Sequence, residues 1–237
     1  MSKWMEETKK KIGALREDHF FDNWSKHKYG GITFYVYPAL DVTDDWFKQR
    51  TDIYRINAEK LGVKAPEVNF FVYPSLEAGR EMGITPSITF VKEREIHGHL
   101  KQSPGHELTH VLLGELNPTD NLPANGLWSE GTCVHLDGTK TDRKKHTLSL
   151  KLKDEILRTP WSEWRQNIPG NLYPLAGSIV QYYERQFGWD KVLGYLKEVR
   201  KSGANDEELS MRIFGFPYRE LQKLWRDWLE KEEADRG

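Results

Sequence analysis

The sequence predicts an α+β fold, with a mixed sheet in an N-terminal subdomain and a mainly helical C-terminal subdomain. Three observations lead there. Runs rich in aromatic and β-branched residues fall before residue 102, and from Ser103 onward nearly every segment has helical spacing. The 237 residues are enough for one large core or for two lobes around a cleft.

Taken in order, residues 3–18 read as a charged amphipathic helix. "ITFYVYP" (Ile32–Pro38) reads as a strand ended by proline. Asp44 to Leu61 carries Trp46, Phe47, Ile53, Tyr54, Ile56 and Leu61 near helical spacing, and Gly62 stops it. "EVNFFVYP" (Glu67–Pro74) is a second strand. Ser75–Gly83 is a short helix with serine in the capping position and glycine at its stop. Ser87–Lys101 holds two β-prone pieces around a charged turn, as a hairpin or bent edge strand would. Helices follow over 103–115, 128–137, about 147–158, 174–187, 189–202, 205–213 and 217–233. The expected division is a helical extension over 1–28, an α/β subdomain over 29–116 and a helical subdomain over 117–237.

Composition narrows the function classes. The apolar share is 38%, the charged share 30% and the formal net charge −1, so no broad field favours nucleic acid or an anionic membrane. The one cysteine, Cys133, excludes an internal disulfide. The N-terminal stretch is charged throughout and no apolar run reaches transmembrane length. A monomer in a reducing compartment, the cytoplasm, is the expectation.

Chemistry concentrates in "SPGHELTHVLLGEL" (Ser103–Leu116). Ser103 suits an N-cap and Pro104 the first turn. His106 and His110 stand one turn apart on one helix face, so both imidazoles reach one ion. Glu107 lies about 100° around the helix from His106, placed to hydrogen-bond a metal-activated water rather than to ligate. With 8 histidines in the chain, such a motif arises by chance in roughly two of a hundred chains of this composition. A catalytic zinc also needs a third protein ligand. Twenty residues on, "NGLWSEGTCVHLDG" (Asn125–Gly138) supplies Glu130, after a Pro/Asn/Gly-rich loop that turns the chain back. His106, His110 and Glu130 would form a His₂Glu site with water as the fourth ligand. The competing explanation for Glu130 is a glutamate favoured by a helix N-terminus.

"HELTH" followed by "LWSEG" resembles the gluzincin zinc metallopeptidases, and most of all the small peptidase MA-like domains. "YPLAGSIVQYYERQFGWDKVLGYLKEVRKSG" (Tyr173–Gly203) and "FGFPYRELQKLWRDWL" (Phe214–Leu229) resemble the helices that follow the zinc site there. The likeness spans roughly residues 30–230 and is most specific at the two ligand motifs. It implies a zincin-like, two-lobed metallopeptidase fold, with Zn²⁺ on His106, His110 and Glu130 and with Glu107 as general base in peptide-bond hydrolysis. It further implies Tyr173 as an oxyanion stabiliser, although the spacing from this tyrosine to the next glycine differs by one residue. It implies a peptide or protein substrate lying along part of Ile88–Leu100. Val134 stands where an acid would orient a ligating histidine, and the motif that reads a substrate N-terminus is missing, which speaks against exopeptidase activity.

Other residues have plainer readings. Cys133 reads as a small buried side chain. His97 and His99 alternate on the expected edge strand and read as a solvated pair or as lining of the site. His135 follows the ligand helix. "KTDRKK" (Lys140–Lys145) reads as a solvated loop, and Trp161, Trp164, Trp225 and Trp228 as helix-packing residues. Two alternatives to an enzyme remain at this level: a regulatory or binding module that holds zinc with little turnover, and a helical scaffold in which the motifs are accidental. An intact Glu107 argues against the first.

Overall fold

A computed structural model describes residues 3–116, 126–138, 164, 168–199 and 205–234. The chain divides into two compact units, Met1–Glu115 and Leu116–Gly237.

The first unit is built on a five-stranded mixed sheet in the order β1-β2-β3-β5-β4. Its strands are β1 (Ser25–Tyr29), β2 (Ile32–Val36), β3 (Val68–Tyr73), β4 (Ile88–Phe90) and β5 (Glu95–His99). The central β2, β3 and β5 run parallel, and the antiparallel β1 and β4 close the two edges. Parallel strands need crossovers, and the helices α2 (Asp44–Leu61) and α3 (Leu76–Glu81) lie in the connections. Both start where the sequence predicts. The Thr43 hydroxyl accepts from the Trp46 amide and the Ser75 hydroxyl from the Ala78 amide, while Gly62 ends α2 at a φ of 65°. The helix α1 (Lys3–Glu17) covers one sheet face through Ile12, which packs with Trp24, Phe71, Tyr73, Ile84, Ile88 and Phe90.

Two expectations need correction here. Residues 1–28 are not a separate extension: α1 buries Ile12 in this core, and β1 pairs residue by residue with β2. The hairpin over 87–101 forms, but β5 is interior, lying between β3 and β4, so of its two strands only β4 is at an edge.

The last element of the first unit is α4 (His106–Leu116). It starts at His106 rather than at Ser103. The carbonyl of Gly105 accepts the Thr109 amide at 2.9 Å, while α2 holds the carbonyls of Leu100 and Gln102 in a non-helical path. Leu108, Val111, Leu112 and Leu113 are at most 1% exposed. Each such burial contributes roughly 1.5–3 kcal/mol, enough to hold a helix that lacks the expected serine cap.

The second unit is helical in its described residues: α5 (Leu127–His135), α6 (Tyr173–Phe187), α7 (Trp189–Val199), α8 (Asp206–Phe214) and α9 (Tyr218–Ala234). Trp128, Tyr183, Tyr195, Phe214 and Trp225 are buried in one core with Trp164, and Trp228 packs against it. Three of the four expected packing tryptophans are accounted for; Trp161, the helix at 147–158 and the loop at 140–145 lie outside the described residues. Glycine sets the approach of α5 to α6. A Cβ on Gly131 would stand 2.5 Å from the Ala176 carbonyl oxygen, and one on Gly177 would stand 2.5 Å from the Val134 side chain. Among the described residues, no helix is long and apolar enough to cross a membrane.

Candidate metal centre

α4 places His106 and His110 one turn apart, with ring centroids separated by 5.0 Å. Glu130 sits in the first turn of α5. One ligand atom from each of the three residues lies within 4.8 Å of the other two. Three donors so close can hold a single ion. His110 and Glu130 are only 6% and 2% exposed. Ionisable groups at that depth stay there only when hydrogen-bonded, paired or ligated. Two imidazole nitrogens and one carboxylate oxygen form a donor set that suits zinc and leaves the fourth tetrahedral position open.

Glu107 is buried on the same helix, 7% exposed, and does not join that group. Its two carboxylate oxygens are held separately. The Thr89 hydroxyl of β4 donates to Oε2 at 2.6 Å, and the Gln102 side-chain amide donates to Oε1 at 2.8 Å. Neither partner is foreseen by the motif, because both are remote in sequence or sit in the loop before the helix. Thr89 lies buried on a strand whose pairing only the sheet reveals. Gln102 is legible only once that loop has a path.

Further support for α4 comes from α2. The Asn57 amide donates to the Thr109 hydroxyl at 2.9 Å, and that hydroxyl donates on to the Gly105 carbonyl at 2.7 Å. Thr109, between the two histidines in sequence, thus ties the helix start to its neighbour.

The other singled-out residues sort clearly. His97 is not solvated: it is fully buried, stacked on Phe71 at 4.7 Å, with Nδ1 2.8 Å from the Tyr73 hydroxyl and Nε2 2.8 Å from Glu95. Arg16 of α1 bonds the other Glu95 oxygen. Burial holds the His97 imidazole below the usual histidine range, against the pull of Glu95. Burial likewise pushes the Tyr73 hydroxyl upward. Burial also pushes Glu95 upward, but His97 and Arg16 outweigh it and leave the carboxyl below its ordinary value. His99 is half-buried at the end of β5 and is lowered first by burial, with Glu77 and Glu107 opposing. His135 pairs with Glu184 of α6. Cys133 is fully buried and is not one of the grouped ligands. Tyr173 opens α6 after the 3₁₀ turn Gly170–Leu172 and packs against the helical core.

A scan against known family models and a search of curated proteins found no match. The metallopeptidase resemblance therefore rests on the sequence motifs alone.

Proposed function

We propose that this chain is a zinc-dependent peptide-bond hydrolase of the gluzincin kind, with His106, His110 and Glu130 as metal ligands and Glu107 as general base. The observation that carries this reading is the division of labour on α4: two imidazoles offered to the ligand group, and the adjacent carboxylate kept out of it by two side-chain donors. A glutamate serving only as helix surface would be solvated; this one is buried and aimed. The α+β architecture, with β4 at a sheet edge and the motif helix after it, is consistent with the zincin-like reading.

Zinc held there would supply Lewis acidity, polarising a carbonyl and bringing the ionisation of a coordinated water to about pH 7. The chain's own residues supply the rest. Glu107 takes the proton from the attacking water and returns it to the departing amine, the exchange expected of a positioned carboxylate. His106 and His110 would hold the metal from one face of α4, and the helix they share with Glu107 sets the reach of that carboxylate. Tyr173 is proposed as donor to the developing oxyanion, a role worth about 2.7–4 kcal/mol where such donors have been removed. The substrate is a peptide or protein, and the acting species is a monomer.

Cleavage of a mixed-sequence quenched-fluorescent peptide library by the zinc-loaded protein tests this, with Glu107→Gln as control. The expected result is cleavage lost in the variant with zinc retained; equal cleavage by both would overturn the mechanism.

A further inference from the structure

Arg50 is an unusual residue to find inside a protein. It is 2% exposed, and among the described residues no carboxylate pairs with it. Burial lowers its guanidinium to about 9. A buried cation without a counter-charge is costly, so its bonds must be compensating. Its guanidinium lies 3.3 Å from the centroid of the Trp46 ring, and it donates to the Trp46 carbonyl at 3.3 Å and to the Gln102 carbonyl at 2.7 Å. The Trp46 indole N–H donates to the Leu100 carbonyl at 2.9 Å. α2 thus fastens two carbonyls of the segment between β5 and α4.

That fastening has a consequence one residue deep. With its backbone fixed, the Gln102 side chain folds back beside Gly98, its oxygen accepting the His99 amide at 3.3 Å and its amide reaching Glu107. Gly98 must be glycine for this, since a Cβ there would collide with the Gln102 side chain and stand 2.7 Å from the Phe70 ring. From the opposite side Thr89 binds the second oxygen of Glu107. A carboxylate gripped on both oxygens cannot rotate freely about its last bond.

We infer that Gln102 and Thr89 are positioning residues for Glu107, and that Arg50 supports Gln102 by holding its backbone carbonyl. The inference rests on the reading of Glu107 as general base. Proton transfer is sensitive to placement, with misplacement of about 1 Å costing on the order of a hundredfold. Neither residue touches the ligand group, so metal binding is separable from their action.

The test compares wild type with Gln102→Met, Thr89→Val and Thr89→Ser. It uses zinc content, kcat and KM on one peptide taken from the cleaved library, and thermal stability. Met and Val keep bulk and remove the donor; Ser keeps it. Zinc content is expected to stay at the wild-type level. kcat should fall about 10- to 100-fold in the Met and Val variants with KM within about twofold, and Thr89→Ser should recover most of the loss. Arg50→Lys should lower kcat in wild type and add little on top of Gln102→Met. In stability, Gln102→Met and Thr89→Val should each be non-additive with Glu107→Gln. Unchanged kcat in both donor-less variants, or no recovery by serine, overturns the inference. A zinc-loaded wild type that cuts no peptide overturns the peptidase reading instead. The stability cycles alone then decide the positioning, with additivity counting against it and coupling for it.

Discussion

The Thr109 hydroxyl sits between Asn57 of α2, from which it accepts at 2.9 Å, and the Gly105 carbonyl, to which it donates at 2.7 Å. Through this relay α2 fixes the start of the helix that carries both histidines. Thr109→Val keeps the shape and removes the hydroxyl, so the buried Asn57 amide and the Gly105 carbonyl each lose one hydrogen bond. A loss of about 1–3 kcal/mol in chemical denaturation is expected, together with weaker zinc retention against a chelator. Unaltered stability and retention would show that the relay does not support α4.

The approach of α5 to α6 gives an expectation for the helical unit. Gly131 follows Glu130 directly and has no room for a methyl group against the Ala176 carbonyl, which is backbone and cannot swing away. Gly131→Ala should therefore destabilise by about 1–3 kcal/mol, as overpacked positions do, and should shift Glu130 with the helix. Gly194→Ala, where a Cβ would meet nothing within 4 Å, serves as the control and should fold at least as stably, since alanine favours helix. Thermal midpoints of the two variants separate these outcomes.

Acid should loosen the sheet unit first where α1 docks. His97 is held neutral below its ordinary range, and Glu95 is held ionised below its own. The unfolded chain takes up a proton at His97 near pH 6.5 and at Glu95 near pH 4.3. In both windows the unfolded state binds more protons than the folded one, so stability rises with pH. The His97 contribution is complete above about pH 6.5 and is lost as pH falls toward the folded-state value; the Glu95 contribution is lost below about pH 4.3. Urea midpoints measured from pH 7.5 to 5 should fall in wild type and stay flatter in His97→Gln. Parallel curves would locate the pH dependence elsewhere.

Much of this was legible in the chain itself. α2 spans Asp44–Leu61 and ends where Gly62 announces it, because a left-handed glycine acts locally. That His106 and His110 stand one turn apart was legible because helical spacing is local; that Glu130, on another helix, comes near them is what the structure adds. What the sequence concealed is non-local. The β-prone His97 segment looks like a solvated edge until β4 takes the edge and α1 covers its face. Ser103 looks like a cap until Trp46 and Arg50, some fifty residues earlier, draw its segment off the helix path. Arg50 reads as one more charge on an amphipathic helix, and nothing in its neighbours marks it as buried.

Removing the base without removing the ligands separates chemistry from binding. Glu107→Gln should lower peptide cleavage by about 10²–10⁴-fold, the range of general-base contributions. Zinc content should be kept, because Glu107 is not one of the grouped donors. Loss of zinc in this variant would make Glu107 a ligand and would contradict the role assigned to it.

The most direct test of the central claim is the metal content of the protein purified without added metal and dialysed against a weak chelator. Elemental analysis should find about one zinc per chain in wild type, as expected of three protein ligands on one ion. It should find little in His110→Ala or Glu130→Ala. A wild-type protein that holds no stoichiometric zinc, or variants that hold as much as wild type, would contradict the account.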